Sequence, residues 1–286
     1  MRLVREIAVE VLGEEKAAGI WSRIDLIGDI AVIKKPFHGD VSIGDLRLIA
    51  EVLVGKLPYV KSVWLAVSPV EGRYKVRRFI HLAGEPRSET VYKEHGCVFK
   101  LDITRVFATP RLSYERIRIA RLVRTGEVVV NMFAGAGLYS IIIARHSKPR
   151  MVHSIDINED AYKYMVENIR LNKVEDRVTA YLGDAREVIE SRLTGIADRV
   201  LMPLPELALE YLGYAVASLR GEGYIHVYLH VTVPKGLNPL ELASTIVEDK
   251  LDSLGVTYRI SGSRKVRPVG PRTYQVVVDV RVGGDG

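Results

Sequence analysis

The sequence predicts an α/β fold in which helices cover both faces of a mostly parallel β-sheet with an antiparallel final strand, preceded by a small α+β domain. From about residue 113, apolar strand-like runs alternate with segments whose apolar residues recur at helical spacing. The strand-like runs are apolar at nearly every position, as is typical of parallel strands buried on both faces. The last two strand-like runs have no helix between them, which favours an antiparallel partner.

The first region is predicted to contain short strands around one helix. SRIDLIGDIAVIKK indicates a hairpin that turns at Gly28 and Asp29, and SIGDLRLIAEVLVGKL indicates a helix after the candidate cap Ser42. The runs SVWLAV, KVRRFIHLAG and CVFKLDI are typical of strands. We place the first domain at residues 1–97 and the second at residues 98–286.

The second domain is predicted from its helix and strand segments in turn. The helical segments are SYERIRIARLV, YSIIIARHS, EDAYKYMVENIRLN, REVIESRL, PELALEYLGYAVASL and NPLELASTIVEDKLDSLG. The strand segments between them are EVVVNMF, MVHSIDI, VTAYLGD, DRVLMPL and GEGYIHVYLHV, followed by the final pair within TYRISGSRKVRPVGPRTYQVVVDVRV. This order predicts a sheet with crossover helices until its last pair of strands.

Composition indicates a soluble, intracellular protein. The chain has 286 residues, of which 48% are hydrophobic and 27% charged. Its only cysteine, Cys97, cannot form an internal disulfide, and its first residues carry charges where a secretion signal needs an apolar core. We therefore expect a cytoplasmic protein without a membrane span. The scarcity of glutamine (1) and asparagine (5) resembles heat-adapted proteins.

Positive charge is concentrated in one part of the chain. Residues 73–124 contain thirteen Lys and Arg against five Asp and Glu, an excess of eight, whereas the whole chain has a net charge of +6. Such clustering is expected of a surface that contacts phosphates, so we expect the first domain to contact RNA. An ordinary solvated face is the alternative.

A glycine loop and two carboxylates predict a cofactor that contains adenosine. In NMFAGAGLYS, Gly135 and Gly137 separate an apolar strand from a helix, so the backbone can turn tightly and a ligand can approach. Asp156 ends the second strand, where a carboxylate can bind both ribose hydroxyls. Asp184 ends the third strand, where it can accept a hydrogen bond from the adenine amine. Either aspartate could instead be a helix cap.

S-adenosylmethionine explains these elements better than NAD. The loop has Ser140 where the dinucleotide fingerprint has its third glycine. A lone GxG is a weak signal, but its combination with two placed carboxylates and an antiparallel final strand favours S-adenosylmethionine.

Several motifs in order resemble one family. HLAGE, FATPRLSYER, NMFAGAG, IDIN, LNKVEDRV, DRVLMPLP and YIHVYLHV are similar to the archaeal tRNA (guanine-37-N1)-methyltransferases, which include members acting in wyosine synthesis. The resemblance runs from about residue 23 onward. It implies a Rossmann-like S-adenosylmethionine methyltransferase sheet, and it implies tRNA as the partner and N1 of guanosine 37 as the target.

The resemblance also implies roles for individual residues. Glu115 matches the proposed general base that removes the guanine N1 proton, and Arg116 matches a neighbouring site position. The cofactor would be bound by residues of the loop, the strand ends and the segment before Glu115. These are Arg111, Phe133, Ala134, Gly135, Gly137, Asp156, Ile157, Asp184, Ala185 and Pro203. Ser113 as a simple helix cap is the alternative for the SYER segment.

Three positions depart from the family pattern. Lys75 stands where an arginine is usual, and it keeps the charge but loses the bidentate fork. Pro203 replaces the asparagine of Asn-Leu-Pro, so an amide that would contact the guanine edge is missing. Asn131 replaces an aspartate at the end of the first strand. We therefore predict that Lys75 and Pro203 belong to the catalytic pocket, and the target stays open between guanine N1 and a carbon of a wyosine precursor, 4-demethylwyosine, alone or besides N1.

Other functions stay open on the sequence. An aminocarboxypropyl transferase of wyosine synthesis uses the same cofactor, and a non-catalytic tRNA-binding protein could keep the fold as a scaffold. An NAD-dependent oxidoreductase is a weaker alternative.

The spacing of the seven histidines does not indicate a metal site. The basic residues near Arg264 could contact the tRNA backbone. The sequence does not determine the oligomeric state, and a monomer is the default expectation.

Overall fold

A computed structural model describes residues 3–21, 24–34, 36, 40–68, 72–74 and 76–284 of the chain. The chain separates into two units, Met1–Pro110 and Arg111–Gly286. In the first unit, a mixed sheet has the strand order β1-β2-β3-β4. Its strands are β1 (Asp25–Ile27), β2 (Ile30–Lys34), β3 (Ser62–Ala66) and β4 (Phe79–Gly84). β1 and β2 form the predicted hairpin, and β3 is parallel to β2.

Three helices accompany this sheet. They are α1 (Leu3–Leu12), α2 (Glu14–Ala17) and α3 (Ile43–Lys56). The predicted cap Ser42 is confirmed, because its hydroxyl accepts a hydrogen bond from the Asp45 backbone N–H while the Asp45 carboxylate accepts one from the Ser42 N–H. The prediction of one helix was wrong, since α1 buries Val4, Ile7 and Ala8 in the core of this unit. Their helical spacing was the signal for α1.

A two-stranded hairpin completes the first unit. Strand β5 (Glu89–Glu94) pairs with β6 (Cys97–Asp102), and Cys97 is buried. The predicted domain boundary between residues 97 and 98 lies inside this hairpin. The two units instead divide after Pro110, because the paired strands belong to one compact unit.

The second unit contains a seven-stranded sheet in the order β12-β13-β11-β10-β7-β8-β9. Its strands are β7 (Val128–Asn131), β8 (Met151–Asp156), β9 (Val178–Leu182), β10 (Ala197–Met202), β11 (Leu219–Thr232), β12 (Tyr258–Gly270) and β13 (Thr273–Val282). β7, β8, β9, β10 and β11 are parallel to their neighbours in this group. The final strand β13 lies between β11 and β12 and is antiparallel to both, which confirms the predicted α/β fold class.

The helices of this unit are α4 (Ser113–Leu122), α5 (Leu138–His146), α6 (Glu159–Leu171), α7 (Ala185–Val188), α8 (Ala208–Ser218) and α9 (Pro239–Ser253). One sheet face forms a core with α8 and α9, in which Val227 and Val278 are fully buried. Alternation along the strands turns His226 and Tyr228 of β11 to the other face, where Tyr228 contacts α4. The sheet is thus enclosed by helices, and α4 covers a face that contains polar residues.

Within the described residues, no helix is long and apolar enough to cross a membrane. The same residues contain no group of three or more His, Cys, Asp or Glu side chains arranged to hold a metal ion.

Candidate active site

The carboxyl ends of four neighbouring parallel strands form the edge at which the predicted cofactor residues lie. The Ala134 N–H donates to the Ile155 carbonyl at 2.8 Å, and the Gly183 N–H donates to the Asp156 carbonyl at 3.0 Å. These bonds tie the segments beyond β7, β8 and β9 to one another. The predicted residues brought to this edge are Phe133, Ala134, Gly135, Gly137, Asp156, Ile157, Asp184, Ala185 and Pro203.

Glycine is required at the two loop positions for different physical reasons. Gly135 has φ of +57°, and a Cβ added there would meet no atom within 4 Å, so open space lies beside it. Gly137 has φ of +89°, and a Cβ there would lie 3.1 Å from Met165 Cγ and 3.2 Å from Ile141 Cδ1. Of these two glycines, Gly135 therefore borders open space, whereas Gly137 permits the turn into α5 and its packing.

Asp156 holds the glycine loop in place. Its carboxylate accepts hydrogen bonds from the Gly135 N–H at 2.6 Å and from the Asn158 N–H at 2.9 Å. Burial raises the pKa of Asp156, and these N–H donors act in the opposite direction. The N-cap of α6 is Asn158, so the alternative that Asp156 is only a helix cap is wrong.

Asp184 caps the short helix α7. Its carboxylate accepts from the Arg186 N–H at 2.9 Å, and both oxygens lie 3.0 Å from the Tyr211 hydroxyl. Burial acts to raise the pKa of Asp184, but Arg186 and Tyr211 hold it below its usual value. The Tyr211 ring packs edge-on against Phe133 at 5.4 Å between centroids. The cap alternative is confirmed for Asp184, and sequence reasoning missed Tyr211 beside it.

Asn131 and Ser140 fix the strand to the helix that follows it. The Asn131 Nδ2 donates to the Ser140 hydroxyl at 3.1 Å, and the Ser154 hydroxyl donates to the same oxygen at 2.7 Å. All three side chains belong to residues with no exposed surface. Ser140, which stands in place of a glycine, therefore joins α5 to β7 and β8 through hydrogen bonds rather than through close backbone contact.

Glu115 is a buried carboxylate in the first turn of α4, and 3% of its side chain is exposed. Arg118 donates from Nε to Oε2 at 2.9 Å and from Nη2 to Oε1 at 2.7 Å. The Tyr228 hydroxyl donates to Oε1 at 2.7 Å, and burial raises the pKa of Tyr228 well above its usual value, so it keeps this proton. Oε1 thus accepts two of these bonds and Oε2 one. The Arg264 Nε is 4.0 Å from Oε2, beyond hydrogen-bonding distance.

Sequence reasoning missed the groups that hold Glu115. Arg118 lies three residues later on the same helix, which could have indicated a pair. Tyr228 comes from β11, and Asp279, which accepts hydrogen bonds from Arg118, comes from β13. Sequence spacing gives no signal for either residue. The predicted alternative that Ser113 caps this helix is wrong, because the cap is Leu112 and makes no side-chain hydrogen bond.

The remaining predicted site residues differ in their exposure to solvent. Arg116 is buried, with its guanidinium 6.0 Å from the centre of the Tyr139 ring. Arg111 is exposed in the turn Pro110–Leu112, and Pro203 is half-buried directly after β10. Lys75 lies outside the described residues.

The family follows from two comparisons. Residues 90–246 match the TRM5/TYW2 methyltransferase domain. The chain is 42% identical over 263 residues to the tRNA 4-demethylwyosine(37)-methyltransferase Taw21 of Saccharolobus solfataricus, covering 92% of this chain and 94% of that protein. The chain belongs to the TRM5/TYW2 methyltransferase family. The resemblance predicted from the sequence motifs is therefore confirmed.

Two further members of the family differ in their named activities. The tRNA (guanine(37)-N(1))-methyltransferase Trm5b of Pyrococcus abyssi is 39% identical, with 90% of this chain and 74% of that protein covered. A tRNA(Phe) (4-demethylwyosine(37)-C(7)) aminocarboxypropyltransferase of Methanocaldococcus jannaschii is 33% identical, with 89% and 96% covered.

Solved structures of the TRM5/TYW2 family share the fold. A complex of aTrm5 with tRNALeu has a TM-score of 0.83 at 30% identity and covers 98% of this chain and 78% of that one. M. jannaschii TYW2 in complex with AdoMet has a TM-score of 0.68 at 27% identity and covers 91% and 99%. The predicted Rossmann-like methyltransferase fold is confirmed.

Proposed function

We propose that this chain is an S-adenosylmethionine-dependent tRNA methyltransferase that methylates N1 of guanosine at position 37. The observation that carries the proposal is the buried carboxylate of Glu115, in the same unit as an open glycine loop. Glu115 is linked to that loop through side chains, because Tyr228 donates to Glu115 and the hydroxyls of Tyr139 and Tyr228 are 3.4 Å apart. Tyr139 is the second residue after Gly137. Relatives named for this reaction support the assignment.

The residues at the sheet edge fit S-adenosylmethionine. The open space beside Gly135 can admit the ligand, and we assign the ribose hydroxyls to Asp156 and the adenine to Phe133, Ile157 and Ala185, with Asp184 accepting from the amine. Arg111, Ala134, Gly137 and Pro203 complete the proposed cofactor site. The bound cofactor supplies a methyl group on a sulfonium, which makes its carbon electrophilic.

We assign the proton transfer to Glu115 Oε2. It accepts the N1 proton of guanine, so that the N1 lone pair can form the bond to the methyl carbon while the carbon–sulfur bond breaks with its electrons on sulfur. Oε2 is the preferred atom because Oε1 already accepts two hydrogen bonds. We propose that Arg116 and Lys75 place positive charge near the oxygen and phosphates of the target nucleotide.

A second candidate substrate is 4-demethylwyosine at the same position. Pro203 supports it, because a proline side chain cannot donate the amide hydrogen bond expected of an asparagine that reads guanine. The 42% identity to Taw21 over most of both chains also supports it. The base-contacting wall of the pocket would then be apolar at Pro203.

We further propose that the first unit contacts the tRNA through its basic residues, that the chain acts as a monomer, and that it works in the cytoplasm, where its tRNA substrate would be found. The low content of glutamine and asparagine supports a heat-adapted source.

The test is transfer of labelled methyl from S-adenosylmethionine to three tRNAs, followed by nucleoside analysis. The tRNAs carry guanosine, adenosine or 4-demethylwyosine at position 37. Methyl on guanosine N1 and none on the adenosine transcript is the expected result. Methyl only on 4-demethylwyosine would assign the chain to its second candidate substrate. Transfer of an aminocarboxypropyl group, or cofactor binding without any product, would contradict methyl transfer.

A further inference from the structure

A single guanidinium joins Glu115 to a second carboxylate. Arg118 donates from Nη1 to Asp279 Oδ2 at 2.7 Å and from Nη2 to Asp279 Oδ1 at 3.2 Å, while its Nε and Nη2 hold Glu115. Only 14% of the Arg118 side chain and 17% of the Asp279 side chain are exposed. Since both ends of the guanidinium fork are engaged, Arg118 cannot rotate without breaking bonds to one of the carboxylates.

Asp279 is held in turn by a neutral histidine. His226 and Asp279 are direct cross-strand partners on β11 and β13, and His226 Nδ1 lies 2.5 Å from Asp279 Oδ1. Arg199 Nη1 lies 2.8 Å from His226 Nε2. A guanidinium can only donate, so Nε2 accepts and the ring proton is on Nδ1, directed at Asp279. Burial likewise lowers the pKa of His226 and outweighs the attraction of Asp279.

Arg199 forms the fixed end of this chain of contacts. Its Nε and Nη2 donate to the two Glu127 oxygens at 2.8 and 3.0 Å, and 3% of its side chain is exposed. Buried ion pairs are weak evidence for stability, because the cost of desolvating the charges can exceed their attraction. Stability alone therefore does not explain these buried charges, which extend across β10, β11, β13 and α4 and end at the carboxylate of Glu115.

We infer that Arg118, Asp279 and His226 are positioning residues for the general base Glu115. This rests on the proposed function of Glu115 in proton transfer. We call the chain of contacts through His226, Asp279 and Arg118 the relay. It fixes the plane of the Glu115 carboxylate, because His226 orients Asp279, Asp279 orients Arg118, and Arg118 engages one lone pair on each Glu115 oxygen. Tyr228 from β11 engages a second lone pair of Oε1. Oε2 thereby keeps a lone pair that accepts none of these hydrogen bonds, and we assign it to the N1 proton of the substrate. Arg264 of β12 lies 4.0 Å from this oxygen.

The test compares Asp279→Asn with a matched control. In Asp279→Asn the amide group faces Arg118 Nη1 if it takes the Oδ2 position, and faces Arg118 Nη2 and His226 if it takes the Oδ1 position. In both cases Arg118 meets a second donor and loses its fixed orientation. Asp102→Asn is the control, because Asp102 is also a mostly buried aspartate, 12% exposed, that accepts three hydrogen bonds, from Ser88 and Thr104. It lies in the first unit, outside the relay. For each variant, kcat at saturating tRNA, the KM for S-adenosylmethionine and the melting temperature are measured.

We expect kcat of Asp279→Asn to fall by about tenfold or more with an unchanged cofactor KM, because a small misplacement of a catalytic group can cost about 100-fold. Asp102→Asn should keep its kcat even though it melts at a lower temperature. The kcat of Arg118→Lys should also fall below that of the wild type, since one ammonium group cannot reproduce the guanidinium fork. Wild-type kcat in Asp279→Asn, or an equal loss in Asp102→Asn, overturns the inference.

A crystal structure of Asp279→Asn tests the relay independently of activity. Glu115 should lose its bond from Arg118 Nε or change rotamer. If wild-type protein methylates no tRNA, the proposed function fails. If Glu115 and Arg118 are unmoved in the Asp279→Asn crystal, the positioning inference fails, whatever the activity.

Discussion

At the scale of single residues, Glu115 combines two properties that a general base needs. Its carboxylate is removed from bulk water, and its orientation is set by Arg118 and Tyr228 rather than by solvent. A fixed carboxylate loses less entropy when it meets its substrate than a mobile one does. The cost is burial of a charge, which the Arg118 pair offsets.

Replacing Glu115 by glutamine should abolish methyl transfer while leaving cofactor affinity unchanged. The substitution keeps the size of the side chain and removes the ability to accept the N1 proton. Methyl transfer in single-turnover experiments and cofactor binding by calorimetry measure the two effects separately. Turnover at the wild-type rate would remove Glu115 from the mechanism.

Replacing Asp156 by alanine should weaken S-adenosylmethionine binding by about 1–3 kcal/mol, or roughly fivefold to 150-fold. The variant loses the proposed hydrogen bonds to the ribose, and it also leaves the Gly135 N–H without its acceptor. Calorimetric titration with the cofactor measures the loss, with Asp156→Asn as a control that retains one oxygen acceptor. Native affinity in Asp156→Ala would contradict the ribose assignment.

At the scale of elements, the two glycines of the loop between β7 and α5 differ in what surrounds them. Gly135 borders open space, whereas Gly137 begins α5 against the side chains of Ile141 and Met165. The left-handed backbone at both positions makes any residue with a Cβ unfavourable. The surroundings then decide how much more each substitution costs.

Gly137→Ala should therefore destabilise the free protein more than Gly135→Ala does. Both variants pay the strain of a positive φ, but only the Gly137 variant also forces a Cβ to within 3.2 Å of two core side chains. Relative to the stability that each variant loses, Gly135→Ala should lose more cofactor affinity than Gly137→Ala. Thermal unfolding without ligand and cofactor titration of both variants measure this. Equal melting temperatures would contradict the packing role of Gly137.

The sequence predicted the elements whose signal is local. Apolar runs and helical spacing identified the strands and helices around the glycine loop, and strand ends placed Asp156 and Asp184 at one edge. Helix α1 was not predicted, although the buried residues Val4, Ile7 and Ala8 have helical spacing. The relay to Glu115 could not be predicted, since Arg118 and Asp279 are separated by 161 residues and meet only through the register of β13.

At the scale of the whole molecule, the insertion of β13 between β11 and β12 determines what faces α4. The antiparallel register sets Asp279 beside His226, and the alternation along β11 sets Tyr228 on the same face. A sheet that ended at β11 would leave Arg118 without its second carboxylate. The final strand thus contributes to the candidate active site as well as to the core.

The same arrangement links Asp279 to acid stability. Burial alone would raise the pKa of Asp279, but the hydrogen bonds from His226 and Arg118 and the positive charge of Arg118 outweigh it and hold the pKa well below its ordinary value. A carboxyl whose pKa is depressed by folding contributes stability above its ordinary pKa, at about 4. That contribution decreases as pH falls, because the unfolded chain binds the proton more readily than the folded one.

Asp279→Asn should therefore be less stable than wild type at pH 7, by about 3–5 kcal/mol for a broken buried ion pair, and the difference should narrow as pH falls below about 4. Scanning calorimetry at several pH values measures it and can resolve the two units if they unfold separately. Asp176→Asn makes the same change in charge at a side chain that is 73% exposed, so it should have little effect at any pH. A difference between wild type and Asp279→Asn that stays constant from neutral to acid pH would show that the Asp279 charge is not stabilised by folding.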